Sequence, residues 1–233
     1  MAERRFERKE IKYVISAAQR EMLMPLLAGR MQADEYGVAR ICNIYFDTPS
    51  SRLIRESIEK PLYKEKLRLR TYGVPGDESP AFVELKKKFK GIVYKRREIM
   101  PYAKAMRFLT ERERPEPMTQ IMKEIDWVLQ SYEGLAPSMV LCYERQAFFG
   151  CEDPSLRMTF DTNITFRTDD LDLRKGTYGE SLLDSSACIL EIKISQAMPL
   201  WLSHALDTLD IYPASYSKYG NAYKKLLSHM EEL

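Results

Sequence analysis

Between Lys64 and Arg70 the chain reads KEKLRLR. With the two-residue period of an extended strand, Lys64, Lys66, Arg68 and Arg70 share one face, and Leu67 and Leu69 the other. Four cations on one side of a strand need either water or an anion to balance them. The pattern recurs along the chain. FERKEIKYVI aligns Arg8, Glu10 and Lys12, and AFVELKKK aligns Glu84, Lys86 and Lys88 against Val83 and Leu85. IVYKRREI offers Lys95 and Arg97 on one parity but Arg96 and Glu98 on the other, so its facing stays open. Tyr143 aligns with Arg145, Arg157 with Thr159 and Asp161, and Glu191 with Lys193.

The solvated face of a half-exposed antiparallel sheet would alternate in the same way. Such a face is rich in small polar residues, however, whereas these use Arg, Lys and Glu almost exclusively. If helices cover the apolar faces, the charged faces line an interior. Unpaired buried charge costs several kcal/mol per ion, so that interior must hold water and an anion with many oxygens in line. A triphosphate or longer phosphate chain has this form, and Arg forks and Lys point charges bind it. Glu10, Glu84 and Glu191 are the hard oxygen donors that Mg²⁺ or Mn²⁺ takes when bridging carboxylate to phosphate. His204 and His229 are the only histidines. No histidine-based zinc site or phosphohistidine is expected, and the chemistry falls to carboxylates, Lys, Arg and Tyr.

Alternation predicts strands at about 5–15, 39–47, 62–73, 80–89, 91–100, 138–150, 155–167 and 186–195. Helical spacing marks a segment capped by Ser16, then SSRLIRESI, YAKAMRFLT, TQIMKEIDWVLQSY, PLWLSHALDTL and SKYGNAYKKLLSHM, with 168–185 an irregular loop. Short turns such as PGDES and the one at Gly91 favour antiparallel pairing. The expected fold is α+β: an eight-stranded antiparallel barrel flanked by helices, in a single domain over residues 1–233. Tyr219, Tyr223, Leu226, Leu227 and Met230 form a packing stripe. Trp127 and Trp201 are expected in the core, Asp47 as a turn or cap residue, and Lys87 and Lys90 in solvent.

The net charge of +2 excludes a generally basic nucleic-acid coat. No run of about 18 apolar residues suggests a membrane span, and no secretory start is visible. Cys42, Cys142, Cys151 and Cys188 lack metal-ligand spacing, and three lie in strand-like runs as buried thiols, so a cytoplasmic protein is expected.

RKEIKYVI, IYFDT, KLRLRTYG, FVELKKK, YERQAFF, LRMTFDTNI, LEIKI and SKYGNAY occur in this order. The series resembles the catalytic domain of the vacuolar transporter chaperone (VTC) family, within the triphosphate tunnel metalloenzymes, over about residues 4–227. The resemblance implies an eight-stranded antiparallel tunnel and a polyphosphate polymerase that passes the γ-phosphoryl group of ATP to a growing phosphate chain. An inorganic or nucleoside triphosphatase and a non-catalytic polyphosphate- or nucleotide-binding module are the alternatives. By the motif match, Lys12, Arg68, Arg70, Lys86, Arg145 and Arg157 contact phosphate, with Lys95 or Arg97 from the fifth strand and Lys193 beside them. Lys218 reaches phosphate from the start of the last helix, with Ser217 as its N-cap, and Lys12, Arg68, Arg70 and Lys218 carry the chemistry. Glu191, with Glu10 and Glu84, carries a divalent metal, Mn²⁺ or Mg²⁺. Implied ligands are ATP, polyphosphate and inorganic triphosphate or pyrophosphate, with no nucleic acid. Arg8 stands where the wider superfamily has the first Glu of an ExExK pattern, which agrees with the VTC branch. The regulatory domain and membrane helices of eukaryotic VTC proteins have no counterpart here. A free-standing, bacterial-type catalytic domain is therefore expected, with association with a membrane partner left open.

Overall fold

A computed structural model of the chain describes residues 9–59, 61–90 and 92–231; Arg8 and the turn at Gly91 lie outside the described residues, as does the side chain of Met230. The chain forms two compact units, each assembled from separate segments.

The first unit comprises Met1–Ala39, Tyr143–Ile164 and Leu183–Ser217. It holds β1 (Lys9–Ser16), α1 (Ala17–Leu27), the start of β2 (Met31–Asp47), the end of β6 (Ala136–Gly150), most of β7 (Arg157–Arg167), β9 (Ala187–Ile194) and α5 (Leu200–Thr208). β1 runs antiparallel to β9, from Lys9 opposite Ile194 to Ser16 opposite Ala187. β9 in turn pairs with β7, setting Arg157 opposite Lys193 and Thr159 opposite Glu191. This register puts Tyr13, Ile15, Met158, Phe160, Leu190 and Ile192 on one side. There they join Leu23 and Leu27 of α1 and Leu202 and Leu206 of α5 in a buried cluster. Burying each large side chain contributes about 1.5–3 kcal/mol, so the apolar parity decides which way the strands face. Ser16 ends β1 and caps α1: its Oγ accepts from the Gln19 amide at 3.1 Å while Gln19 Oε1 accepts from the Ser16 amide at 2.9 Å, a closed capping box.

The second unit comprises Arg40–Cys142, Thr165–Leu182 and Lys218–Leu233. After the rest of β2 come α2 (Arg52–Glu59), β3 (Tyr63–Tyr72), β4 (Pro80–Phe89), β5 (Ile92–Pro101), α3 (Tyr102–Met106) with a π-helical turn at Arg107–Glu111, and α4 (Gln120–Ser131). The start of β6, the end of β7, a 3₁₀ turn at Leu173–Lys175, β8 (Glu180–Ser181) and α6 (Lys218–Glu231) complete it. Ile44, Phe46, Leu67, Leu69, Val83 and Leu85 form a second cluster with Met122, Ile125, Val128 and Leu129 of α4. The segment 168–182 is held to the end of β7 by Arg167, whose guanidinium donates to the carbonyls of Asp170, Asp172, Gly176 and Tyr178.

Hydrogen-bonded strands follow the order β1-β9-β7-β6-β2-β3-β4-β5, with β8 on β7. This is the antiparallel, helix-flanked α+β sheet expected. Among the described residues this order has β1 and β5 as its two end strands. Trp127, expected in the core, is corrected: it is 60% exposed, because the buried stripe of α4 runs through residues 122, 125, 128 and 129 and leaves 127 outside. Lys87, expected in solvent, is half-buried with its ammonium 5.8 Å from the Trp127 ring. Cys42, Cys142 and Cys188 are buried thiols and Cys151 is exposed, as expected. No helix among the described residues is long and apolar enough to cross a membrane.

Candidate functional site

With the apolar parity packed into the two clusters, each unit keeps a charged strand face. In the second unit that face carries Lys64, Lys66, Arg68 and Arg70 of β3, Lys86 and Lys88 of β4, and Lys95 and Arg97 of β5. The register stacks them in rows: Lys66 opposite Lys86 opposite Lys95, and Arg68 opposite Glu84 opposite Arg97. The structure thus resolves the open parity of β5, since Lys95 and Arg97 join this face while Arg96 pairs with Glu124 of α4 at 3.1 Å.

Among the described residues of these three strands, Glu84 is the one carboxylate on a face of eight cations. It is 1% exposed and accepts from Arg68 Nε at 2.7 Å, Arg97 Nε at 2.8 Å and Lys95 Nζ at 2.8 Å, with Arg70 Nε at 4.0 Å. Burial opposes its charge, but Arg68, Arg70 and Lys95 overcome that and hold the carboxyl far below the usual carboxylate range. Its oxygens are engaged by cations, so the donor set at Glu84 does not fit a metal. It fits a counterion that aligns Arg and Lys. Arg70 is fixed from β2 as well, where Asn43 Oδ1 accepts from its Nε at 2.9 Å and Asn43 Nδ2 donates to the Leu141 carbonyl at 2.9 Å.

Beside Asn43 on the same parity of β2 lie Tyr45 and Asp47. Tyr45 stands opposite Arg68 and stacks on Tyr219 of α6 with ring centres 4.3 Å apart. Asp47 is a cap, as expected: it accepts from the Leu53 and Ile54 amides at the start of α2, both at 2.9 Å, and from the Tyr219 hydroxyl at 3.0 Å. Lys218 is buried at the first position of α6, and Ser217 precedes it. A cation at a helix N-terminus opposes the macrodipole and gains nothing there for helix stability. Of the stripe on α6, Tyr219 is buried and Leu226 half-buried, while Leu227 is exposed.

The charged face of the first unit is nearly balanced. Lys12 Nζ lies 3.3 Å from both Glu10 Oε1 and Glu191 Oε1, and Lys193 Nζ is 3.7 Å from Glu10 Oε2. Arg145 is gripped by Asp161 in a two-bond fork at 2.6 and 2.7 Å and lies 3.4 Å from Glu191. Burial disfavours its charge, but Tyr143, Asp161 and Glu191 keep it firmly protonated. Arg157, exposed beside Lys193, has its guanidinium 5.5 Å from the Phe149 ring. Glu191 is flanked across the ladders by Lys12 and by Thr159, whose buried hydroxyl has no hydrogen-bond partner among the described residues.

For a divalent metal, the chemistry of Glu10 and Glu191 is suitable. Two carboxylates converge on one cation, and the orphaned Thr159 hydroxyl stands beside the more buried of them. A hard dication held by one or two carboxylates and otherwise by phosphate and water needs no more. Among the described residues no group of three or more His, Cys, Asp or Glu is arranged to hold a metal by itself.

Sequence reasoning passed over Asp161 as the partner of Arg145, and Tyr45 and Asn43 as partners of Arg68 and Arg70. The available signal was the alternation of polar and aromatic residues in Asn43-Ile44-Tyr45-Phe46-Asp47.

The model of the VTC domain family matches residues 7–227. Among solved structures, a candidate adenylate cyclase from Bacillus halodurans superposes with a TM-score of 0.56 at 15% identity, covering 89% of this chain and 92% of that one. A candidate adenylyl cyclase from Hippeastrum, described as having a dominant triphosphatase activity, gives a TM-score of 0.53 at 13% identity over 90% and 92% of the two chains. At these identities the likeness is one of fold. A comparison with curated proteins finds no match.

Proposed function

The chain belongs to the VTC domain family, and on that footing we propose that it is a polyphosphate polymerase, moving the γ-phosphoryl group of ATP onto a phosphate chain. The observation that carries this reading is the charge imbalance on β3, β4 and β5: eight cations on one strand face, four of them gathered on one buried carboxylate. A face with that excess, held in rows about 4.8 Å apart by the strand spacing, suits a ligand that presents phosphate oxygens along a line.

In the reaction proposed, the bond between the γ-phosphorus and its bridging oxygen breaks and ADP leaves with that oxygen. The new bond forms to a terminal oxygen of the acceptor chain. Phosphoryl transfer requires little covalent help, so positioning and charge neutralisation do most of the work. Arg68, Arg70 and Arg97, oriented by Glu84 and Asn43, hold phosphate oxygens. Lys66, Lys86 and Lys95 supply point charges along the chain, and Lys218 adds one from α6. In the first unit Lys12, Arg145, Arg157 and Lys193 are the phosphate contacts. Glu10 and Glu191 would hold Mn²⁺ or Mg²⁺, which when bound offsets charge on the transferred and leaving oxygens.

Incubation of the purified chain with ATP and Mn²⁺ or Mg²⁺, followed by gel separation of phosphate chains, tests the reading. A ladder of chains is expected. Free phosphate alone makes the protein a triphosphatase, and tight binding without ATP consumption makes it a binding module; either overturns the polymerase.

A further inference from the structure

Among the described residues, the Tyr45 hydroxyl accepts one hydrogen bond and donates none. The side chain is anchored: it is 8% exposed, and its ring lies parallel to Tyr219 within 12°, while the Tyr219 hydroxyl is tied to Asp47. Its oxygen accepts from Arg68 Nη1 at 3.2 Å. A phenol also has one hydrogen to donate, and among the described residues no acceptor stands against it. The groups facing it are cations of β3 (Arg68, Lys66 and Arg70) and the neutral Tyr219 of α6, a helix headed by Lys218. The carboxylates in this part of the unit are spoken for: Asp47 by the amides of α2 and by Tyr219, and Glu84, behind Arg68, by its ring of cations.

We propose that the Tyr45 hydroxyl donates to a phosphate oxygen held by Arg68, and that a phosphate chain bound there keeps this hydroxyl protonated. The inference rests on the phosphate reading of the cluster and adds to it a residue and a proton. Burial by itself would push the phenol up, but the charges of Arg68, Lys66 and Arg70 outweigh burial and bring it down to about 8. In the empty protein above that pH, a phenolate balances the cations and competes with an incoming anion. A bound phosphate chain supplies the negative charge instead and favours the neutral phenol. By linkage, binding above about pH 8 takes up a proton, and affinity falls by up to about tenfold per pH unit.

The experiment is calorimetric titration of the full chain with inorganic tripolyphosphate from pH 7 to 9.5, in paired buffers of different ionisation heat. Absorbance at 295 nm follows tyrosinate. The wild type is expected to lose affinity above pH 8, to take up a fraction of a proton on binding at pH 8.5–9, and to show a tyrosinate step near pH 8 that tripolyphosphate moves upward. Tyr45→Phe removes all three, and subtracting its profile removes the ligand's own protonation. Tyr219→Phe retains them. A Tyr45→Phe protein with the wild-type pH profile and proton uptake overturns the inference and leaves the phosphate reading standing. Absence of tripolyphosphate binding by the wild type at pH 7 overturns both. If Tyr45→Phe does not fold, the wild-type absorbance titration decides: no ligand-sensitive tyrosine below pH 9 overturns the inference.

Discussion

Glu84 and Arg68 face each other across the β3–β4 ladder, and the Glu84 carboxylate, 1% exposed, accepts from Arg68 Nε at 2.7 Å. Lys95 and Arg97 reach the same carboxylate from β5. A single buried anion thus holds together the cations that would otherwise drive three strands apart. Replacing it by Gln leaves those cations uncompensated, a loss of about 3–5 kcal/mol for a broken buried pair. Glu84→Gln is expected to melt well below the wild type and to be rescued disproportionately by tripolyphosphate. A variant as stable as the wild type without any anion would remove Glu84 from this role.

The same carboxylate sets an acid limb. Its folded-state acidity is depressed, so its contribution is fully present above the unfolded-state value of about 4.3 and drains away as pH falls below it. Urea midpoints taken between pH 7 and pH 3 should show the gap between wild type and Glu84→Gln closing as the solution becomes more acid. A constant gap would mean that the carboxyl is not held ionised by its neighbours.

Arg68 touches both Glu84 and the Tyr45 hydroxyl on this face. A hydrogen bond to a charged group is worth about 1.5–3 kcal/mol. Arg68→Ala is accordingly expected to weaken tripolyphosphate binding at least about tenfold, with a smaller loss for Lys86→Ala, whose side chain is exposed. Equal affinities across wild type and Arg68→Ala would mean that water alone balances the face.

Glu191→Gln separates the two units' proposed tasks. The variant should retain most of its tripolyphosphate affinity while losing metal-dependent turnover of ATP. Retained turnover would take Glu191 out of the metal site.

Asp161 grips Arg145 through two bonds of 2.6 and 2.7 Å and is itself fully buried. Asp161→Asn keeps the shape but breaks the charge match, with an expected cost of about 3 kcal/mol in urea unfolding. Glu191 would then be the one remaining carboxylate of the described set at Arg145, so metal affinity should fall in the same variant. A change in stability with no change in metal affinity would confine the pair to structure.

The sequence by itself determined most strand positions, though not the part of β2 before residue 39 or the short β8 inside the segment expected as loop, and also the parity of most strand faces, the Ser16 cap and the capping role of Asp47. Each of these is local, since alternation and capping are settled by residues a few positions apart. It left the facing of β5 open, because KRRE places charge on both parities. Only pairing with β4 on one side and α4 on the other sends Lys95 and Arg97 to Glu84 and Arg96 to Glu124. Trp127 was misplaced for a similar reason: an aromatic residue in a helix is inside or outside according to which stripe the neighbouring sheet covers. What only the tertiary structure decided is who neutralises whom. Glu84 became a counterion, Glu191 kept company with Lys12 and an orphaned hydroxyl, and Tyr45 met three cations without a carboxylate. Those partners lie 11 to 179 residues apart along the chain, and a register of one residue more or less would exchange every one of them.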